Sequence, residues 1–305
     1  MTEGPAVIAL DVGGTGMKCA IVRPDGRVHH AERHPTGASR GPEAVVDTIL
    51  DVARSLADRA RADGLTPVAA GCAVPGVVDE AGGTAVWSAN IGFRDVPLRK
   101  LLSERLGVPA ALGHDVRVGG IAEARLGAGR GHGHVLFVAI GTGIAAAHVI
   151  DGTAFAGAHG AAGEIGHIVV RPGGPPCGCG NRGCLESIAS ASAIGRRYTE
   201  LSGITASAAD VAARSAAGEE LANEVWLEAV IALSDGLLTA QALYDADVIV
   251  VGGGLSEAGE ALLGPLRTAL EARVTFHRPP DLVRAGLGDE AGCLGAALLA
   301  LDTLE

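Results

Sequence analysis

The chain has 305 residues, of which 48% are apolar and 19% charged, and its formal net charge is −11. That length and apolar content allow two buried cores, so two lobes are expected. The acidic balance, with no run of like charges, argues against a nucleic-acid partner, which needs clustered Lys and Arg, and no uninterrupted apolar run approaches the ~20 residues of a membrane span.

The first sixteen residues, MTEGPAVIALDVGGTG, have no basic region before their short apolar run. They read as a first β-strand running into glycines rather than as a signal peptide, and a cytoplasmic protein without membrane contact is expected. Further β-type runs lie at 19–22, 67–74, 134–140 and 247–251. Helical periodicity covers 42–63, 97–107, 116–126, 219–244, 256–274 and 290–304. The first hundred residues read as three strands and then a helix, with the turn Pro24-Asp25-Gly26 between two of the strands. Short buried strands alternating with helices predict an α/β fold.

Glycines follow apolar strands three times, in ALDVGGTG (9–16), FVAIGTGI (137–144) and VIVVGGGL (248–255). Without a Cβ, such loops let backbone N–H groups approach an anion closely, although each alone is also an ordinary tight turn. The dinucleotide pattern G-x-G-x-x-G fails at 252–257, where Glu257 takes the last position, and at 14–19, where Cys19 does. The P-loop pattern is absent. Asp11, at the end of the first strand, would repel a phosphate directly but suits a hydrated Mg²⁺ that bridges phosphate oxygens; its alternative is a turn-stabilising role.

Three of the six cysteines, Cys177, Cys179 and Cys184, crowd into one segment ten residues after His167. Three cysteines leave one over for any disulfide, and two of them are separated by a single residue. With His167 they form a Cys₃His set, the tetrahedral ligand set of structural zinc; a reduced, metal-free loop is the alternative. Four protein ligands leave no open position for an activated water, which disfavours a zinc hydrolase. Cys19, Cys72 and Cys293 lie in apolar segments and read as core residues.

The ordered series DVGGTGMK, GCAVPGVVDE, His114-Asp115, AIGTG, GEIGH, the C-x-C-G-x-x-G-C-x-E run and VVGGG resembles the ROK-family sugar kinases over essentially the whole chain. The resemblance implies a two-lobe actin-like ATPase (ribonuclease H-like) fold with an inter-lobe active-site cleft. The small lobe is expected over 1–115 plus 290–305, and the large lobe over 116–289 with a zinc loop at 167–184. It implies Asp115 as the general base toward the C6 hydroxyl of a hexose. Gly76, Asn90, His114, Glu164, His167 and Glu186 would contact the sugar. Asp11, Gly13, Gly14, Thr15, Lys18, Gly141, Thr142, Gly143, Gly253 and Gly254 would hold ATP and Mg²⁺, with Gly252 to Gly254 near the adenosine. A structural Zn²⁺ at the Cys₃His loop would orient His167 and Glu186. From position alone, Asp115 reads as a helix N-cap, Asn90 as a turn residue, Lys18 as a solvent-facing strand residue, and Glu164 and Glu186 as surface acids.

One departure concerns His114, where the family usually has Asn. A neutral His offers one donor and one acceptor against the two donors and acceptor of Asn, so the sugar contact there changes and a pH dependence enters. The favoured reaction is ATP plus D-glucose giving glucose 6-phosphate and ADP. The alternatives are N-acetylglucosamine or N-acetylmannosamine kinase, another hexose kinase, and, less favoured, a polyphosphate donor or a non-catalytic sugar sensor. The related repressors carry a helix-turn-helix ahead of the phosphate loop, and here that loop begins by residue 11. A homodimer or homotetramer is the assembly the resemblance implies.

Overall fold

In the computed structural model, which describes residues 4–276 and 278–304, the chain opens with β1 (Gly4–Val12), β2 (Gly16–Val22) and β3 (Val28–Pro35), joined as an antiparallel meander. Helix α1 (Pro42–Ala62) and strand β4 (Leu65–Val74) follow. A small sheet of β5 (Val77–Asp79), β6 (Thr84–Trp87) and β7 (Arg94–Val96) leads to α2 (Leu98–Leu106), β8 (Ala110–His114) and α3 (Asp115–Arg125). The main sheet is ordered β3-β2-β1-β4-β8, with β1, β4 and β8 parallel. Central strands covered on both faces read as continuous apolar runs, whereas the edge strand β3 alternates buried and exposed positions. Helix α1 starts on Pro42 and buries Val45, Ile49, Ala53, Leu56 and Ala60, the one-sided stripe of an amphipathic helix.

A second unit repeats the scheme. It contains β9 (His134–Ile140), β10 (Ile144–Ile150), the two-residue β11 (Thr153–Ala154), α4 (Leu185–Ala189), α5 (Ala191–Ser202), α6 (Ala208–Ala216), α7 (Glu220–Tyr244), β12 (Val248–Gly252), α8 (Glu260–Glu271) and β13 (Asp281–Arg284). Its sheet is ordered β11-β10-β9-β12-β13, with β9 and β10 antiparallel and β9, β12 and β13 parallel. Helix α7 is long and apolar enough to cross a membrane by length and composition. Here it buries Val225, Trp226, Ala229, Leu233 and Leu237 in the core of its own unit.

The chain then returns to the first sheet with α9 (Ala291–Leu301), a helix of small and aliphatic residues. Its backbone meets its neighbours so closely that a Cβ on Gly295 would stand 1.9 Å from Val118 O, and one on Gly71 of β4 would stand 1.8 Å from Ala296 O. The many glycines and alanines of the sequence thus serve close helix–sheet approach. One unit comprises Met1–Leu126, Ala154–Ala162 and Asp289–Glu305, and the other Gly127–Thr153 and Gly163–Gly288. The break expected at 115/116 falls at 126/127 instead. Helix α3 packs on α9 through Val118 and so stays with the first sheet.

Candidate functional site

In the first unit the loop between β1 and β2 is a tight turn in which Gly13 N–H donates to Gly16 O at 2.9 Å. Thr36 pins it, its hydroxyl donating to Gly13 O at 2.6 Å and its N–H to Thr15 O at 3.1 Å. A Cβ on Gly14 would stand 3.1 Å from Asn90 Cβ, so two residues 76 apart in the chain meet at this loop. Asn90 itself is exposed, in the turn after β6. Gly76 is accounted for by packing, since at φ 104° its Cβ would fall 2.2 Å from Trp87 O.

Asp11 sits opposite Lys18 in the β1–β2 register, and its carboxylate lies against the first turn of α9, where a Cβ on Gly292 would be 2.2 Å from Oδ2. Burial raises its pKa to about 6, against the opposing charge of Lys18 and with help from Asp115 and Asp289. Lys18 does not point to solvent as a bare strand residue would. Its Nζ is 3.1 Å from Asp289 Oδ1, and Arg33 reaches the other oxygen of that carboxylate at 2.6 Å. These two cations hold the Asp289 carboxyl below the ordinary range.

Asp115 follows β8 directly, but it is not the helix N-cap. The cap position belongs to His114, and Asp115 is the first residue of α3, its Oδ1 accepting the Val116 N–H at 2.8 Å. His114 is buried and places Nε2 3.3 Å from the same oxygen. Burial pushes the Asp115 carboxyl upward, opposed by the Val116 N–H and the charge of Arg117, while a third of the side chain stays open at 33% exposure. Beneath it, Glu80 Oε1 accepts both the His114 N–H at 3.0 Å and Arg117 Nε at 2.8 Å. Arg117 is 1% exposed, and its NH1 donates to Gly160 O at 2.9 Å.

In the second unit the GEIGH segment lies flat on β10. A Cβ on Gly163 would be 1.9 Å from Ala146 O and one on Gly166 2.1 Å from Ile144 O, so no larger residue fits at either place. Both ends of the segment are held this way, with Glu164 exposed and His167 half-buried between and beyond them. His167 divides its two ring nitrogens: Nδ1 is 3.6 Å from Cys177 Sγ, and Nε2 is 3.8 Å from Glu164 Oε2.

The ligand atoms of His167, Cys177, Cys179 and Cys184 lie within 4.8 Å of one another. Cys179 and Cys184 stand 3.7 Å apart, far beyond a disulfide, and all six cysteines are free. Bonds of ~2.3 Å from one tetrahedral centre place sulfurs about 3.8 Å apart, so the observed edges fit a single zinc-sized centre. Burial and the neighbouring thiols push Cys184 up to about 12, and a backbone N–H from Asn181 lowers exposed Cys179. Such mutual crowding of thiols is relieved by a bound cation. By contrast Cys19, Cys72 and Cys293 are buried thiols raised by desolvation, as core residues should be.

Glu186, in the first turn of α4, reaches back to the second glycine loop: its Oε2 accepts the Ile144 N–H at 3.0 Å. That loop is closed by Gly141 N–H to Gly143 O at 2.9 Å and by Ser192 Oγ to Thr142 O at 2.5 Å. Thr142, Cys177, Glu186, Ser190, Ser192 and Arg196 line a polar cavity of about 320 Å³ there. Of the third glycine run, Gly252 packs on the Phe137 ring and Gly253 on Ile140, where a Cβ would be 2.5 Å from the carbonyl oxygen, whereas Gly254 faces open space. Gly254 borders an apolar cavity of about 560 Å³ against α6 and Trp226.

The sequence did not single out Glu80, Arg117, Asp289, Gly292 or the wall of α6. Only Gly292, in a run of small residues after two acids, carried a local signal of close approach.

Residues 7–303 match the ROK family. The chain is 33% identical over 312 residues to the glucokinase of Thermotoga maritima, covering 95% of this chain and 96% of that one. It is 31% identical over 296 residues to an N-acetylmannosamine kinase of Escherichia coli, covering 96% and 97%. The crystal structure of a ROK family glucokinase from Streptomyces griseus in complex with glucose and AMPPNP superposes with a TM-score of 0.83 at 29% identity, over 97% of this chain and 99% of that one. The glycine loops and the cysteine loop fall inside the matched span, and the chain belongs to the ROK family.

Proposed function

We propose that the protein transfers the γ-phosphoryl group of ATP to the C6 hydroxyl of a hexose, D-glucose first, giving the hexose 6-phosphate and ADP. The observation that carries this reading is the pair of carboxylates in the first unit. Asp11 lies at the glycine loop and Asp115 at the β8–α3 turn, near enough for the charge of Asp115 to raise the pKa of Asp11. Asp115 accepts the proton of the attacking hydroxyl, whose oxygen bonds to the γ-phosphorus as the bond to the ADP oxygen breaks. His114 and the Val116 N–H orient that carboxylate from one side.

Gly13, Gly14 and Thr15, with Gly141, Thr142 and Gly143, present backbone N–H groups to phosphates, and the cavity at Gly254 holds the nucleoside. Asp11 fits a hydrated Mg²⁺, being a carboxylate whose burial the charge of Lys18 only partly offsets; the ion, when bound, would neutralise charge on the phosphates. Lys18, ion-paired with the exposed Asp289 carboxylate, reaches a phosphate by giving up that surface pair, at a cost of about 1 kcal/mol or less. Asn90, Gly76 and His114 are sugar-side residues of the first unit, and Glu164, His167 and Glu186 those of the second. His167, Cys177, Cys179 and Cys184 hold a structural zinc that fixes His167. The protein acts in the cytoplasm, as a homodimer or homotetramer.

A second reading, an N-acetylhexosamine kinase, is favoured by the 31% identity over 296 residues to an N-acetylmannosamine kinase. Both are tested by ADP release with Mg·ATP across glucose, mannose, fructose, N-acetylglucosamine and N-acetylmannosamine, with Asp115→Ala alongside. Turnover of glucose that the substitution abolishes supports the first reading, and preference for an N-acetylated sugar the second. Turnover of no sugar would overturn both.

A further inference from the structure

Helix α6 has two apolar faces. Ala208 and Val211 pack into the core, while Ala209, Ala212, Ala213 and Ala216 line the cavity of about 560 Å³ beside Gly254. The rest of the wall is Trp226, Leu255, Ala258 and neighbouring small residues. Among the described lining residues, only Ser207, Trp226 and Glu257 carry polar side-chain atoms, and each is engaged. Ser207 Oγ accepts the Asp210 N–H at 3.2 Å and donates to its carboxylate at 2.6 Å, and the Ser207 N–H donates to that carboxylate at 2.8 Å, closing the reciprocal cap of α6. Trp226 Nε1 donates to Ala261 O at 3.0 Å, and Glu257 pairs with Arg284 at 2.5 Å.

We propose that this cavity takes the nucleoside of the phosphoryl donor by shape and apolar contact alone, so that the protein uses purine nucleoside triphosphates with little regard to which purine they carry. The inference rests on the kinase reading above and goes beyond it. Adenine, guanine and hypoxanthine share a bicyclic outline and differ in the donors and acceptors on their edges. A site that spends hydrogen bonds on those edges rejects the wrong partner by about 10⁴–10⁵-fold, because its buried polar groups are then left unpaired. An apolar site leaves nothing unpaired, and its discrimination stops near 10²-fold. A donor without a nucleoside, such as polyphosphate, leaves this cavity empty.

The test is kcat/KM for ATP, GTP and ITP at a saturating level of whichever hexose is turned over, together with direct binding of the three nucleotides read by tryptophan fluorescence. Values within about 100-fold of one another are expected. Ala213→Phe, on the exposed face of α6, should raise KM for all three nucleotides by a similar factor and leave the hexose KM unchanged. A preference for ATP greater than that overturns the inference. If Glu257→Gln then removes the preference, that carboxylate is the reader of the base. Unchanged nucleotide KM in a folded Ala213→Phe overturns it too, by placing the nucleoside elsewhere. Equal binding of all three nucleotides without phosphoryl transfer to any hexose would instead sink the kinase reading and leave the cavity assignment standing.

Discussion

The guanidinium of Arg117, almost wholly excluded from solvent, rests on the carboxylate of Glu80, whose Oε1 also takes the N–H of His114. One oxygen therefore ties the turn before α3 to a residue inside its first helical turn, and Asp115 lies between the two. Removing one member of a buried ion pair strands the other, at about 3–5 kcal/mol. Arg117→Met is expected to destabilise by that order. Glu80→Gln, which keeps both N–H donors served but leaves the more deeply buried guanidinium without its counter-charge, should cost a similar amount. Because the positive charge of Arg117 opposes the upward shift of Asp115, its loss should raise that carboxyl further. The acid limb of kcat/KM should then move to higher pH in Arg117→Met, and a limb that stays in place in folded protein would refute the coupling.

Asp11 gives a pH dependence to stability. Its folded pKa, about 6, lies above the ordinary carboxyl value of 3.8, so the folded state holds the proton more tightly. That contribution is fully present below about pH 4 and is lost as pH rises through 6. Two pKa units correspond to roughly 3 kcal/mol. Metal-free Asp11→Asn should thus be more stable than the parent at pH 7–8 and no more stable near pH 4, while losing its response to Mg²⁺. Denaturant midpoints at the two pH values measure this.

Much of this was legible in advance. The core strands were continuous apolar runs and the long helices were periodic, so both could be read directly. The Cys₃His set was legible because its members are nearly contiguous. Helices α5 and α6 were missed although both are amphipathic and the Ser207–Asp210 capping box marks the start of α6; both are short, and their alanines carry little apolar weight. Glu80 and Arg117 were missed because each is unremarked alone and their pairing spans 37 residues. Asp115 was placed in the right turn but one position early in the helix, a register that propensity does not resolve.

Chelation of the cysteine loop should lower stability and activity together, since a closed ligand set supports the fold rather than a bound water. On removal of the metal, the thermal transition is expected to fall by on the order of 10 °C. Re-addition of Zn²⁺ should restore both properties, and Cys184→Ser should reproduce the loss. Activity abolished with an unaltered transition would assign the metal to the chemistry instead.

His114→Asn puts an amide at the turn before Asp115. It removes a ring nitrogen 3.3 Å from Asp115 Oδ1, so kcat should change together with the hexose KM. The ratio of kcat/KM for glucose over N-acetylmannosamine, measured in parent and variant, reads the effect. An unchanged ratio would free His114 from any part in choosing the sugar.

The division of labour on the His167 ring has a consequence for proton inventory. With Nδ1 turned to the cysteine cluster, a metal bound there would leave the ring hydrogen on Nε2. It would then be a donor beside Glu164 Oε2, 3.8 Å away. A ligand seated between them must offer a lone pair to the imidazole and a hydrogen to the carboxylate, which is the two-sided bonding of an alcohol. The sulfur loop would then act as a polarity filter, selecting hydroxyls over ethers.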